Sequence, residues 1–144
     1  MLDRYGPGMT DHVRGAFERA GLTYNPHPEV VPNSRLALRL TELARDRGLH
    51  ERVHDRLMDA YWTEGRNIGD PETLRTLAAE AGLGDAEAVF DGDVYEERVL
   101  ASTAQAQKLG IHAIPAFVID SKLLILGAQP REAFEQGFTQ LNGG

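Results

Sequence analysis

"GIHAIPAFVID", residues 110–120, reads as a helix end, a short bend and a buried strand. Gly110 closes the helix. Phe117-Val118-Ile119 is an aromatic and β-branched run that suits a strand. Pro115 stands where that strand begins, although proline has no N–H to give a sheet. Taken alone it is a trans-proline ending a loop before an edge strand, because only about 5–6% of X–Pro bonds are cis.

Downstream, Leu123-Leu124-Ile125-Leu126 follows Ser121-Lys122, and the two apolar runs form an antiparallel hairpin. A half-exposed strand alternates apolar and polar residues. Residues 123–126 do not alternate, so both faces of the hairpin call for cover. Pro130 opens a last helix with Ala133, Phe134, Phe138 and Leu141 on one face. That helix covers only one side of the sheet. Two strands alone are marginal, and the stretch around Leu22 to Tyr24 is the candidate for one more short strand. The sheet still reads as incomplete, which favours self-association or strand swapping.

Upstream, the pattern is helical. Thr10 to Ala20 reads as a helix with Thr10 as N-cap, Val13, Phe17 and Ala20 on one face, and Gly21 as stop. The segment "GLTYNPHPEVVPN", residues 21–33, runs extended between its prolines. Asn33 caps a second helix with a stripe of Leu36, Leu40, Leu43 and Ala44, ended by Gly48. In the third, "LHERVHDRLMDAYWTEG", residues 49–65, Val53, Leu57 and Tyr61 face inward with Met58. Asp70 caps a fourth helix with Pro71 at its first position, carrying Leu74, Leu77, Ala78 and Ala81. A short helix breaks at Gly92. Asp93 then caps a longer one through Val94, Leu100, Ala104 and Leu109.

The bulk numbers fit one compact chain. It has 144 residues, 42% of them hydrophobic, enough for one core or a core with a helical lobe. A net charge of −7 argues against a broad nucleic-acid surface, which needs excess Lys and Arg. There is no cysteine, so disulfides, thiolate zinc sites and cysteine nucleophiles are excluded within these residues. "MLDRYGPGMTDH", residues 1–12, lacks the basic-then-apolar pattern of a signal peptide. No apolar run approaches the roughly 18 residues of a membrane span. A soluble cytoplasmic protein without membrane association is the expectation.

Together, Ile114-Pro115, Phe117-Val118-Ile119-Asp120 and Gly127-Ala128-Gln129-Pro130 resemble the C-terminal segment of the DsbA-like thioredoxin-fold family, in its cytoplasmic FrnE-like branch. "AYWTEGRNIGDPETLRTLAAEAGL", residues 60–83, resembles that branch's inserted helical domain, and "VPNSRLALRL", residues 31–40, the segment entering it. The resemblance runs from about Tyr5 to Leu141. It implies an α/β, predominantly helical chain: the C-terminal part of a thioredoxin-like fold, a β-hairpin plus terminal helix, with a large inserted α-helical domain. The implied organisation is an N-terminal helix and extended segment over 1–32, a helical insertion over 33–109, and a C-terminal β-β-α unit with a cis-proline loop over 110–144. The family begins with a strand and a Cys-X-X-Cys at a helix start. Neither is in this chain, which reads as starting after that section.

The family's chemistry is thiol–disulfide exchange, in which a thiolate at a helix N-terminus attacks a disulfide. The resemblance implies that Ala113, Ile114 and Pro115 form a platform for an extended peptide or protein substrate. Without Cys-X-X-Cys the chain alone is expected to be inactive, with no catalytic residue and no cofactor of its own. A non-enzymatic peptide-binding module is the first alternative. The second is a relative of the glutathione-dependent isomerases of small aromatic acids, such as 2-hydroxychromene-2-carboxylate isomerase. Those usually show Gly-Gln-Asp after the second strand, whereas this chain has Gly127-Ala128-Gln129-Pro130.

Other candidates read as structural. His50 and His54 are four apart on a helix, but a third ligand at defined spacing is missing and Arg52 and Arg56 crowd them, so no metal site is assigned. His112 would tune a thiolate were one nearby, and otherwise is an exposed loop residue. Tyr61 and Trp62 suit lobe packing more than a substrate groove. Glu64, Arg66 and Asp70 make a charged turn with a cap.

Overall fold

The computed structural model describes residues 7–25 and 31–143, with side chains from residue 11. The elements in order are α1 (Pro7–Arg19), α2 (Arg35–Asp46), α3 (His50–Met58), a π-helical turn (Asp59–Thr63), α4 (Pro71–Glu80), α5 (Glu87–Asp91), α6 (Glu96–Lys108), β1 (Ala116–Ile119), β2 (Leu123–Leu126) and α7 (Arg131–Asn142). The described residues divide into two compact units, 1–99 and 100–144, with the division inside α6.

The first unit is built on apolar helix faces spaced by turns of the helix. Leu40, Leu43 and Ala44 of α2 pack with Val53 and Leu57 of α3 and with Leu74, Leu77 and Ala78 of α4. Ile68 and Val89 close the same core. Asp70 holds the start of α4: its carboxylate accepts from the Thr73 N–H and from the Thr73 hydroxyl, both at 2.8 Å. Those bonds hold its pKa below the usual carboxylate range.

Arg39 lies in the middle of this apolar face and is only 8% exposed. Its guanidinium donates to the carbonyls of Val94 and Val89, each at 2.8 Å, and to that of Gly92. A planar group with five donors suits three converging carbonyls. The residue thereby ties the 89–94 segment to α2. Glu96 stands 3.8 Å from it and also pairs with Arg35.

The second unit is the hairpin with α7. β1 and β2 pair antiparallel, Phe117 opposite Ile125 and Ile119 opposite Leu123. Lys122 N–H donates to the Ile119 carbonyl at 3.0 Å, and Asp120 and Ser121 both have positive φ, the primed turn that suits strand twist. Alternation puts Phe117, Ile119, Leu123 and Ile125 on one face. There Phe134 meets Phe117 edge-on with ring centroids 5.0 Å apart. Gly137 lets α7 close in: a Cβ at that position would stand 2.6 Å from Leu123 Cδ2. The opposite face carries Val118, which is 47% exposed, with Ala116, Leu124 and Leu126.

Several expectations need correction. Leu22 to Tyr24 is not a strand; the Asn25 N–H beyond it bonds the Trp62 carbonyl instead. Among the described residues the sheet has two strands. The first helix begins at Pro7 rather than after a Thr10 cap; the Thr10 side chain, like the run through Pro26 and Pro28, lies outside the described residues. Asn33 does not itself occupy the N-cap, which is Ser34, but its side chain accepts from the Arg35 N–H at 3.0 Å. Met58 is exposed, because Val53, Leu57 and Ala60 take the buried face and Met58 follows Leu57 by one residue, about 100° round the helix. α6 starts at Glu96, and none of its residues is buried; Leu100 and Leu109 are about half exposed.

The division between the compact units falls at 99/100. Phe17 and Tyr24 join Trp62 of the helical unit, with centroids 5.6 and 6.2 Å from it. The last turns of α6 go with the hairpin.

Candidate functional site

The candidate site starts where α6 ends. Gly110 has φ +75°, its N–H bonds the Gln107 carbonyl, and the Ile111 N–H reaches back to the Ala106 carbonyl at 3.0 Å. That 6→1 bond is the signature of a Schellman ending. It turns the chain sharply out of α6 into residues 111–115. His112 Nδ1 lies 2.8 Å from the Gly110 carbonyl. A carbonyl only accepts, so Nδ1 carries a proton, and in that tautomer Nε2 is the ring's acceptor.

Ala113, Ile114 and Pro115 follow as one exposed turn, and the Ile114–Pro115 bond is cis. Ile114 is 89% exposed, which is unusual for so large an apolar side chain. Among the described residues no hydrogen bond involves the backbone of Ala113 or Ile114. The Pro115 carbonyl accepts from the Gly127 N–H at 2.7 Å, so the hairpin ladder continues to the proline and stops there. Gly127 has φ +82°, Gln129 Nε2 bonds the Leu126 carbonyl at 2.8 Å, and Pro130 caps α7. The turn therefore offers free backbone groups and an apolar side chain at the open end of a fixed ladder. That suits an extended polypeptide and supplies no acid, base or nucleophile.

The remaining candidates lie elsewhere. The rings of His50 and His54 stack 6.0 Å apart, with His50 Nε2 against Arg45 and His54 Nδ1 against Asp55. Among the described residues no group of three His, Asp or Glu side chains could hold a metal ion. Trp62 sits with Tyr61, Phe17 and Tyr24 in an aromatic cluster. Glu64 is ion-paired with Arg56 at 2.8 Å, which lowers its pKa. Arg56 also reaches Glu80 at 2.6 Å, fastening the end of the π turn to α4. Among the described residues no helix is long and apolar enough to cross a membrane.

Sequence reasoning missed the flank of this site. Ser102, Thr103, Ala106 and Gln107 face the 111–114 turn across a shallow groove. Their i, i+4 pairing was the available signal, but short polar residues on a helix read as a solvated face.

The model of the DSBA-like thioredoxin domain family matches residues 4–138. The chain belongs to that family. The uncharacterized protein YwbO of Bacillus subtilis is 27% identical over 131 residues, covering 88% of this chain and 65% of that protein. The crystal structure of a probable DsbA oxidoreductase from Streptomyces coelicolor matches with a TM-score of 0.82 and 31% identity, over 94% of this chain and 60% of that one. The chain thus spans about three fifths to two thirds of the length of these two proteins. Its mostly helical, thioredoxin-like fold is shared with the Streptomyces protein along nearly all of its own length.

Proposed function

We propose that this chain is the client-holding part of a FrnE-like, cytoplasmic thiol–disulfide oxidoreductase, with Ala113, Ile114 and Pro115 as the platform for an extended polypeptide. The observation that carries this reading is the exposed Ile114 beside backbone groups without partners, at the open end of the hairpin ladder. The likeness to a probable DsbA oxidoreductase supports it, as does the Gly127-Ala128-Gln129-Pro130 turn.

In such exchange a thiolate attacks one sulfur of a disulfide. A mixed disulfide forms and the other sulfur leaves as a thiolate. These 144 residues contain no cysteine, so both redox thiols must come from outside them. A pure peptide-binding role, with no redox step, rests on the same exposed turn and the same lack of cysteine.

Calorimetric titration of the chain with an unfolded, thiol-blocked client protein tests the platform. Binding is expected, with a loss of about tenfold or more in Ile114→Asp. Absence of heat across varied clients overturns the reading. In an insulin-reduction assay the purified chain is expected to give no turnover; turnover would show chemistry that these residues do not explain.

A further inference from the structure

We infer that the groove between the last turns of α6 and the 111–114 turn is a selectivity pocket for an uncharged, hydrogen-bonding side chain of the bound polypeptide. The inference rests on the platform reading and extends it from backbone to side chain.

The groove measures about 440 Å³. Its floor is helical: Ser102 and Ala106 stack one turn apart, as do Thr103 and Gln107. Its far wall is Ile111, His112 and Ala113, and it opens onto Ile114. Ala113 and Ile114 therefore belong to groove and platform at once. A polypeptide lying across them places a neighbouring side chain over the groove, since alternate residues of an extended chain point to opposite sides.

The lining decides which side chain fits. None of the lining residues is an acid, a lysine or an arginine, although 26% of the chain is charged. A charged occupant would lose hydration and meet no counter-ion. The lining is apolar over most of its surface, but not throughout. Among the described residues the side chains of Ser102 and Gln107 make no hydrogen bond, and His112 keeps Nε2 once Nδ1–H is bonded to the Gly110 carbonyl. An aliphatic occupant would cover these groups without satisfying them. Asn, Gln, Ser and Thr both donate and accept, and Ala106 and Ser102 are short enough to leave room for their stems.

The test uses the full chain and an uncharged host peptide. One variable residue, Gly, Gln, Leu, Glu or Lys, is placed at each position in turn. At one position the Gln peptide is expected to bind about fivefold or more tighter than the Leu, Glu and Lys peptides. In Ala106→Phe and Gln107→Leu that preference is expected to vanish while the Gly peptide binds as before. Circular dichroism checks that both variants fold. Ile114→Asp is expected to weaken all the peptides alike.

Equal affinities across the series overturn the pocket and leave the platform standing. A Gln preference that survives both groove variants also overturns it. Failure of the wild-type chain to bind any peptide overturns the platform and the pocket together.

Discussion

Ile68, Gly69 and Asp70 divide three tasks between neighbouring residues. Ile68 is buried in the helical core and Asp70 caps α4. Gly69 lets two stretches of backbone meet, because a Cβ there would stand 3.0 Å from Asn33 N and 3.1 Å from Asn33 O. Backbone atoms cannot rotate away as a side-chain tip can. Gly69→Ala is expected to destabilise the chain by about 1–2 kcal/mol, read as a lower urea midpoint at unchanged slope. The carboxylates bring a pH dependence. Arg98, with help from Tyr95, lowers the pKa of Asp46; Arg56 lowers that of Glu64; the Thr73 donors lower that of Asp70. A depressed folded-state pKa contributes stability that is complete above the unfolded value and disappears as pH falls through the folded one. The thermal midpoint is therefore expected to hold through neutral pH and fall below about pH 4. Asp70→Ala should lower the midpoint at pH 7 and lose that difference in acid.

At the scale of the element, α2 and α6 show how far sequence pattern reaches. Leu40, Leu43 and Ala44 are legible from spacing because an apolar stripe on an isolated helix needs a partner. Arg39 is not legible, since arginine is rarely buried and its three carbonyl partners lie 50 or more residues away. Leu100 and Leu109 mislead in the other direction: periodicity reports that a face is apolar, not what covers it. Met58 reads as inward because it is large and apolar beside Leu57, although it lies at the edge of the buried face and is exposed. The 113–115 turn is legible through its motif, whereas the groove beside it arises only when the Schellman ending folds residues 111–114 back along α6. Removing the Arg39 clamp should release a whole segment. Arg39→Ala is expected to cost about 2–4 kcal/mol, because buried carbonyls lose their donors. Amides of 92–96 should then exchange faster in NMR, and unchanged protection would count against the clamp.

For the whole molecule, the core is uneven. Its buried apolar cluster, from Ala37 to Val89, lies entirely within 1–99. In 100–143 the buried residues are Ile125 and Gly137. Local stability follows buried apolar contact. Native-state hydrogen exchange is therefore expected to show α2 and α4 amides protected by about a hundredfold or more over those of β1 and β2. Similar protection in both units would mean that the hairpin draws stability from a source other than the packing described.

That unevenness has an optical consequence. The single tryptophan and all four tyrosines precede residue 100, while the hairpin unit has only phenylalanine for a chromophore. Excited at the red edge, where tyrosine does not absorb, the intrinsic fluorescence of this chain is the signal of Trp62 in its aromatic cluster. It can report a sharp transition for the helical unit while the hairpin and its platform open unseen. Isotope labels at Ile114, Phe117 or Phe134 would make that second transition visible.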